Sequence, residues 1–204
     1  CDFAMFDTLA NLRRVGILAV GAGADLDEAL EPVVVTVNGI RFGFVSLGDS
    51  KMTPSVFAAE NHPGIALLEE QNMRRAIAAA RKAADVVIAM PHWGPEDVPI
   101  PNWSQRQLAA QLVEAGADLV VGNHTHVVQA IQEIDGVPVF YGLGNFVFDQ
   151  TWADDHKQGV ILLVRYVGEK YLGYELIPTH VDGDGHVTIA QPEEAQQILD
   201  RIEA

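Results

Sequence analysis

The stretch Ala115-Gly116-Ala117-Asp118-Leu119-Val120-Val121-Gly122-Asn123-His124-Thr125-His126 decides how this chain is read. Gly116 stops a helix, because glycine tolerates the left-handed backbone at a helix end. Asp118–Val121 is a short apolar run of strand length and reads as a buried strand. Three polar residues able to bind a ligand, Asn123, His124 and His126, follow at once. The same unit occurs earlier: a helix over Glu69–Ala84, a strand over Asp85–Met90, then His92. Two helix-then-strand units predict parallel strands in one sheet. Loops leaving the carboxyl ends of such strands share a rim, where open α/β sheets place their sites.

Read as extended backbone, residues two apart leave the same face, so His124 and His126 are expected to aim at one point, with His92 arriving from the neighbouring strand. Neutral imidazoles with no thiolate nearby suit Zn, Mn, Fe, Co or Ni. The plainer alternative is that each histidine caps a strand end. Three at matching positions favour a metal site over that alternative. Glu96, on the loop after His92, is placed to orient a ligand imidazole, bind metal or move a proton. Asp97 reads as a solvated loop carboxylate. The Asn123 amide is placed to donate to a phosphate or carboxylate oxygen, and Gly122 to let backbone approach a ligand. Asn145 either faces the site or caps a turn, and Asp149 either supports the site or is plain loop. Trp93 and Trp103 bracket the Pro91–Trp103 loop and are read as pinning it rather than walling a groove. His62, His156, His180 and His186 show no partner pattern and read as surface or structural. Asp182-Gly183-Asp184-Gly185 resembles a calcium-loop fragment without its later ligands, so a hairpin turn is expected.

Outward from these units, Phe3–Val15 has helical spacing and stops at Gly16. Ile17–Val20 reads as a buried strand and Asp25–Leu30 as a brief helix. Val33–Val37, Asn38-Gly39 and Ile40–Leu47 form a hairpin, since Asn-Gly supplies the positive φ angles of a two-residue turn. Gly48–Leu67 is loop-like. A helix over Ser104–Ala115 starts with a capping box of Ser104 and Gln107. Val127–Ile134 with Val137–Leu143 is a second hairpin, and Val160–Val167 with Tyr171–Thr179 a third. Val187–Ala190 and a helix over Pro192–Ile202 close the chain. Helices alternate with strands early and hairpins dominate late, which predicts one mixed α/β layered domain with no repeat.

The 204 residues carry 13 Lys plus Arg against 28 Asp plus Glu, a net charge of −15, with 49% hydrophobic residues. That is the balance of a folded domain able to bury one substantial core. The acidic excess argues against sequence-independent nucleic-acid binding, which needs a dense basic face, and disfavours anionic lipid. The surplus carboxylates Glu28, Glu31, Glu69 and Glu70 are expected away from the histidine rim. A single cysteine, Cys1, excludes an internal disulfide framework and a zinc site of several thiolates. No run reaches the roughly 18 apolar residues of a membrane-spanning helix. No basic start with an apolar stretch marks a secretory leader. Cys1-Asp2 fits either the lipidated first residue of a lipoprotein or a chain cut from something longer; the second is favoured, because the next residues already read as helix. No glycine-rich phosphate loop or nucleophile elbow is found.

Pro91-His92-Trp93-Gly94-Pro95-Glu96, Gln105-Arg106-Gln107-Leu108-Ala109, Ala115 through Gln129, and Tyr141-Gly142-Leu143-Gly144-Asn145-Phe146-Val147-Phe148-Asp149 together resemble the CapA family. These are bacterial capsule or poly-gamma-glutamate synthesis proteins related to calcineurin-like metallophosphoesterases. Asp7-Thr8-Leu9, Gly21-Ala22-Gly23 and Glu28-Ala29 are similar to that family too. The resemblance spans nearly the whole chain, in order.

The resemblance implies a four-layer α/β/β/α sandwich of the metallophosphoesterase type, with residues 1–204 forming one domain and a metal site on one rim. It implies His92, His124 and His126 as ligands of divalent Mn, Zn or Fe, with Glu96 and Asn123 in catalytic or substrate-contacting roles. Family members carry an Asp-bearing strand and an Asn-Asn-His ahead of the region where this chain starts. The expectation is therefore a member lacking its amino-terminal part. Two divalent ions bring about +4 of charge, which three neutral imidazoles do not offset, and a two-metal clamp needs ions roughly 3.5–4 Å apart. The chain alone is therefore expected to hold one ion weakly and to be inactive. The implied function is metal-dependent hydrolysis of a phosphoester or related electrophile in the synthesis of an anionic capsule polymer. The alternative is a non-enzymatic polymer-binding or assembly subunit. Implied partners are the anionic polymer or phosphoester and capsule-synthesis subunits at the membrane, with no nucleic acid. The implied location is the bacterial cell envelope if an anchor precedes the chain, and otherwise the cytoplasm.

Overall fold

A computed structural model describes residues 2–51, 56–150 and 152–202, with side chains from residue 4 onward. Cys1 and Pro54 lie outside the described residues. The chain gathers into two compact units, one of residues 1–92 and 110–119, the other of residues 93–109 and 120–204.

The first unit contains α1 (Asp2–Arg14), β1 (Ala22–Gly23), α2 (Leu26–Ala29), β2 (Val33–Val37), β3 (Ile40–Gly48), β4 (Gly64–Ile65), α3 (Glu70–Ala83) and β5 (Val86–His92). Asn38 and Gly39 have φ of 50° and 83°, the mirror-image turn expected of Asn-Gly, and β2 pairs antiparallel with β3 across it. β3 then pairs parallel with β5, from Phe42 opposite Val86 to Gly48 opposite His92. A parallel strand covered on both faces must be apolar throughout. Val86, Val87 and Ala89 accordingly expose no more than 1% of their surface. The face of α3 carrying Met73, Ala76, Ile77 and Ala80 is buried, and it comes close to the sheet because residue 43 is glycine. A Cβ there would stand 2.8 Å from that of Ala84. Asp118 locks the end of the unit: its Oδ2 accepts from Arg81 and from the backbone of Val87, each at 2.6 Å.

Two expectations fail in this unit. Ile17–Val20 is not a strand, and Ile17 and Leu18 are 53% and 64% exposed. Its four apolar residues have strand composition, but among the described residues no strand pairs with them. The Gly48–Leu67 segment is not wholly loop, because β4 within it pairs antiparallel with β1.

Most of the second unit follows α4 (Trp103–Glu114) and β6 (Leu119–Val121), and comprises β7 (Ile131–Ile134), β8 (Val137–Phe140), β9 (Gln158–Val167), β10 (Lys170–Val181), β11 (Val187–Ile189) and α5 (Pro192–Ile202). β8 lies between β6, parallel, and β7, antiparallel. β10 lies between β9 and β11, antiparallel to both. The apolar face of α5 puts Ile198 and Ile202 into a core with Val128, Val160 and Ala190. Burial of each isoleucine contributes about 1.5–3 kcal/mol. The capping box of α4 is shifted from Ser104 and Gln107. Asn102 Oδ1 accepts from the Gln105 amide at 2.9 Å, and Gln105 Oε1 accepts from the Asn102 amide at 3.1 Å. The reciprocal pattern is the expected one, two residues earlier.

Candidate metal centre

The site grows from a short backbone zipper in the second unit. Trp93 donates its N–H to the Asn123 carbonyl at 3.2 Å, and Asp97 donates to the Thr125 carbonyl at 2.9 Å. The loop after β5 is thereby stitched to the segment after β6, with Glu96 between the stitches. Buried polar side chains hold the loop from behind. Gln105 Nε2 donates to Gln129 Oε1 at 2.8 Å, and Gln129 Nε2 donates to the Val98 carbonyl at 2.7 Å. Gln105 and Gln129 are each 1% exposed, so these bonds replace water that neither group can reach.

Trp93 is fully buried, stacks on Tyr141 with ring centroids 5.6 Å apart, and donates its Nε1–H to the Tyr141 carbonyl at 2.9 Å. It pins the loop, as expected. Trp103 is 75% exposed and does not. Gly122 serves the same packing. A Cβ there would lie 2.3 Å from both Trp93 Nε1 and the Tyr141 carbonyl oxygen. Its missing side chain makes room for an indole, not for a ligand.

On this frame the ligand atoms of Glu96, His124 and His126 all lie within 4.8 Å of one another. The two histidine ring centroids are 6.2 Å apart. The extended-backbone reason expected for this pairing does not hold: His124 and His126 sit at φ of 98° and 59°. Left-handed turns, not strand alternation, aim the two rings, and such conformations cost on the order of 1–3 kcal/mol each. Glu96 is exposed and both histidines are half-buried.

His126 is oriented from behind. Asn145, 7% exposed, places its Oδ1 2.9 Å from His126 Nδ1 and donates its Nδ2 to the His156 carbonyl at 3.0 Å. A carbonyl only accepts, so the amide nitrogen faces His156 and the amide oxygen faces His126. An acceptor thus stands fixed at Nδ1 of His126. Of the two readings of Asn145, the structure selects the one in which it faces the site. The ring of Phe148 lies 4.9 Å from that of His126.

His156 and Asp97 were not singled out for the site. His156 is buried, and its Nε2 meets Asp97 Oδ1 at 2.6 Å. Asp97 is thus not simply a solvated carboxylate. The two are 59 residues apart in sequence, and no spacing rule links them. The His156 ring centroid lies 6.4 Å from that of His126.

His92 closes β5 in the first unit, where its carbonyl accepts from the Asp49 amide at 2.9 Å. Asn123 is exposed, with its carbonyl engaged by Trp93. Asp149 is exposed. Glu28, Glu31, Glu69 and Glu70 all belong to the first unit. Asp182, Asp184 and His186 also cluster. There Asp182 Oδ1 accepts from the amides of Asp184 and His186, as a hairpin turn requires.

One carboxylate and two imidazoles, one of them held at Nδ1 by a fixed amide, form a donor set that fits a divalent transition metal.

Residues 3–150 match the family described as bacterial capsule synthesis protein PGA_cap. The chain belongs to that family. Among curated PGA_cap relatives, the PGA biosynthesis protein CapA of Bacillus subtilis is 40% identical over 159 residues, covering 77% of this chain and 41% of that protein. The capsule biosynthesis protein CapA of Bacillus anthracis is 33% identical over 151 residues, covering 72% and 36%. The chain thus spans about two fifths of the length of these relatives. Among solved structures, a Thermus thermophilus sulfate thiohydrolase, SoxB, in complex with glycerol, superposes with a TM-score of 0.57 at 17% identity, covering 97% of this chain and 33% of that one. The likeness shows the fold alone, a mixed α/β architecture. No described helix is long and apolar enough to cross a membrane.

Proposed function

We propose that this chain is the metal-holding part of a metal-dependent hydrolase of the phosphoesterase type, acting in the synthesis of an anionic capsule polymer such as poly-gamma-glutamate. The observation that carries this reading is the convergence of Glu96, His124 and His126 within 4.8 Å. The names and function of the PGA_cap relatives supply the polymer. Residues 1–204 are read as one domain. Glu96, His124 and His126 would hold a divalent Mn, Zn or Fe. When bound, such an ion polarises a phosphoryl oxygen and brings the pKa of a water towards 7.

The chain's own residues have distinct tasks. His126 presents Nε2 because Asn145 occupies Nδ1. Glu96 supplies the negative charge that two neutral imidazoles lack, which lets the site hold one ion rather than two. The Asn123 side chain, at the exposed edge of the segment, orients an anionic oxygen of the substrate. Capsule-synthesis subunits at the cell envelope are the partners this role calls for.

The test is His124→Ala in the protein as its bacterium makes it. Loss of both metal-dependent phosphodiester hydrolysis and capsule polymer supports the enzyme. Polymer synthesis unchanged by His124→Ala would assign the protein to complex assembly instead.

A further inference from the structure

We infer that Asn145 is a positioning residue that holds His126 in the Nδ1–H tautomer, and that Asp97 and His156 brace Asn145 in that orientation. Neutral imidazole free in water favours the proton on Nε2, the atom a metal would need. Reversing that preference takes a fixed acceptor at Nδ1. Asn145 Oδ1 stands there at 2.9 Å, and the amide cannot flip without placing its NH2 group against His126 and its oxygen against the His156 carbonyl.

The brace is built into the backbone. Gly144 and Gly159 form an isolated antiparallel bridge, and Val160 donates to the Leu143 carbonyl at 2.9 Å. Side chains would prevent this approach. A Cβ on Gly159 would stand 2.1 Å from the Asn145 carbonyl oxygen, and one on Gly144 2.4 Å from that of Gln158. Asn145 is thus seated on the segment that carries His156. The His156 ring is held in turn by Asp97 at 2.6 Å. Asp97 follows Glu96 directly, so one loop supplies both a candidate ligand and the anchor of the brace. The order Asp97, His156, Asn145, His126 runs from the ligand loop to the ligand ring through hydrogen bonds and one peptide carbonyl.

This inference rests on the metal reading only for its consequence, not for the tautomer. The test is long-range proton–nitrogen NMR of the histidine rings in the metal-free 204-residue chain, about two pH units above the usual histidine pKa of ~6.5. The His126 signals are assigned by their loss in His126→Gln. The wild-type ring is expected to show a protonated Nδ1 and a bare Nε2. Asn145→Ala returns it towards Nε2–H, whereas Asn145→Asp still accepts at Nδ1 and keeps Nδ1–H, at a cost in stability because its second oxygen meets the His156 carbonyl. Mn or Zn affinity by calorimetry is expected to fall about 10–100-fold in Asn145→Ala. A wild-type His126 protonated on Nε2, or a tautomer unmoved in Asn145→Ala, overturns the inference. Should Asn145→Ala not fold, the wild-type spectrum decides by itself. A wild-type chain with Nδ1–H that binds neither ion upholds the positioning and overturns the metal reading.

Discussion

Trp93 donates its backbone N–H to the carbonyl of Asn123 at 3.2 Å, and this contact opens the zipper that brings Glu96 to His124 and His126. The site therefore depends on how closely the Trp93 loop can lie on the segment after β6.

That closeness has a direct test in Gly122→Ala. The added methyl would meet Trp93 Nε1 and the Tyr141 carbonyl at 2.3 Å. Neither can give way without loss of the indole hydrogen bond. The expected cost is about 3 kcal/mol, in the range of severe overpacking. For a chain of this size that lowers Tm by roughly 6–12 °C. Thermal unfolding followed by Trp fluorescence checks it, and an unchanged Tm contradicts the packing role.

The start of α4 separates two capping assignments. Asn102→Ala removes the side-chain acceptor of the Gln105 amide, and is expected to cost about 1 kcal/mol. Ser104→Ala, one residue inside the helix, is expected to change stability by less than about 0.5 kcal/mol. Urea midpoints of the two variants are the measurement. The reverse order of effects would restore the cap to Ser104.

The difference between these caps shows where sequence reading stops. Ser104 with Gln107 and Asn102 with Gln105 both fit the reciprocal pattern. What selects the second is Gln105 reaching Gln129, a contact across 24 residues. Local chemistry was enough for the Asn38-Gly39 and Asp135-Gly136 turns, whose positive φ angles are recorded at all four residues. It was enough for the apolar run of β5. It was not enough for Ile17–Val20, since an apolar tetrad looks alike whether or not a strand pairs with it. At the site, His124 and His126 were legible as a motif, though for a backbone reason that does not hold. Asn145 was legible only as a choice between two roles. The Asp97–His156 pair was not legible, because a loop acid and an unmotivated histidine acquire meaning only when the fold brings them together.

Acid should weaken the first unit through Asp85. Hydrogen bonds from the Arg41 side chain, then its backbone, hold this carboxyl at about 2 instead of the usual 3.8. A depressed native pKa contributes stability that is fully present above the unfolded value. It is lost as pH falls through the folded one. The advantage of wild type over Asp85→Asn should therefore be constant above about pH 5 and shrink between about pH 4 and pH 2. Both partners are partly exposed, so added salt should reduce it. Urea midpoints across this pH range give the answer; a gap independent of pH would contradict the assignment.

The most direct measurement of the central claim is equilibrium binding of Zn or Mn to the purified 204-residue chain. The account expects one ion per chain, with affinity reduced at least about tenfold in each of Glu96→Gln, His124→Ala and His126→Ala. Binding that all three variants retain unchanged, or no binding by the folded wild-type chain, would contradict it.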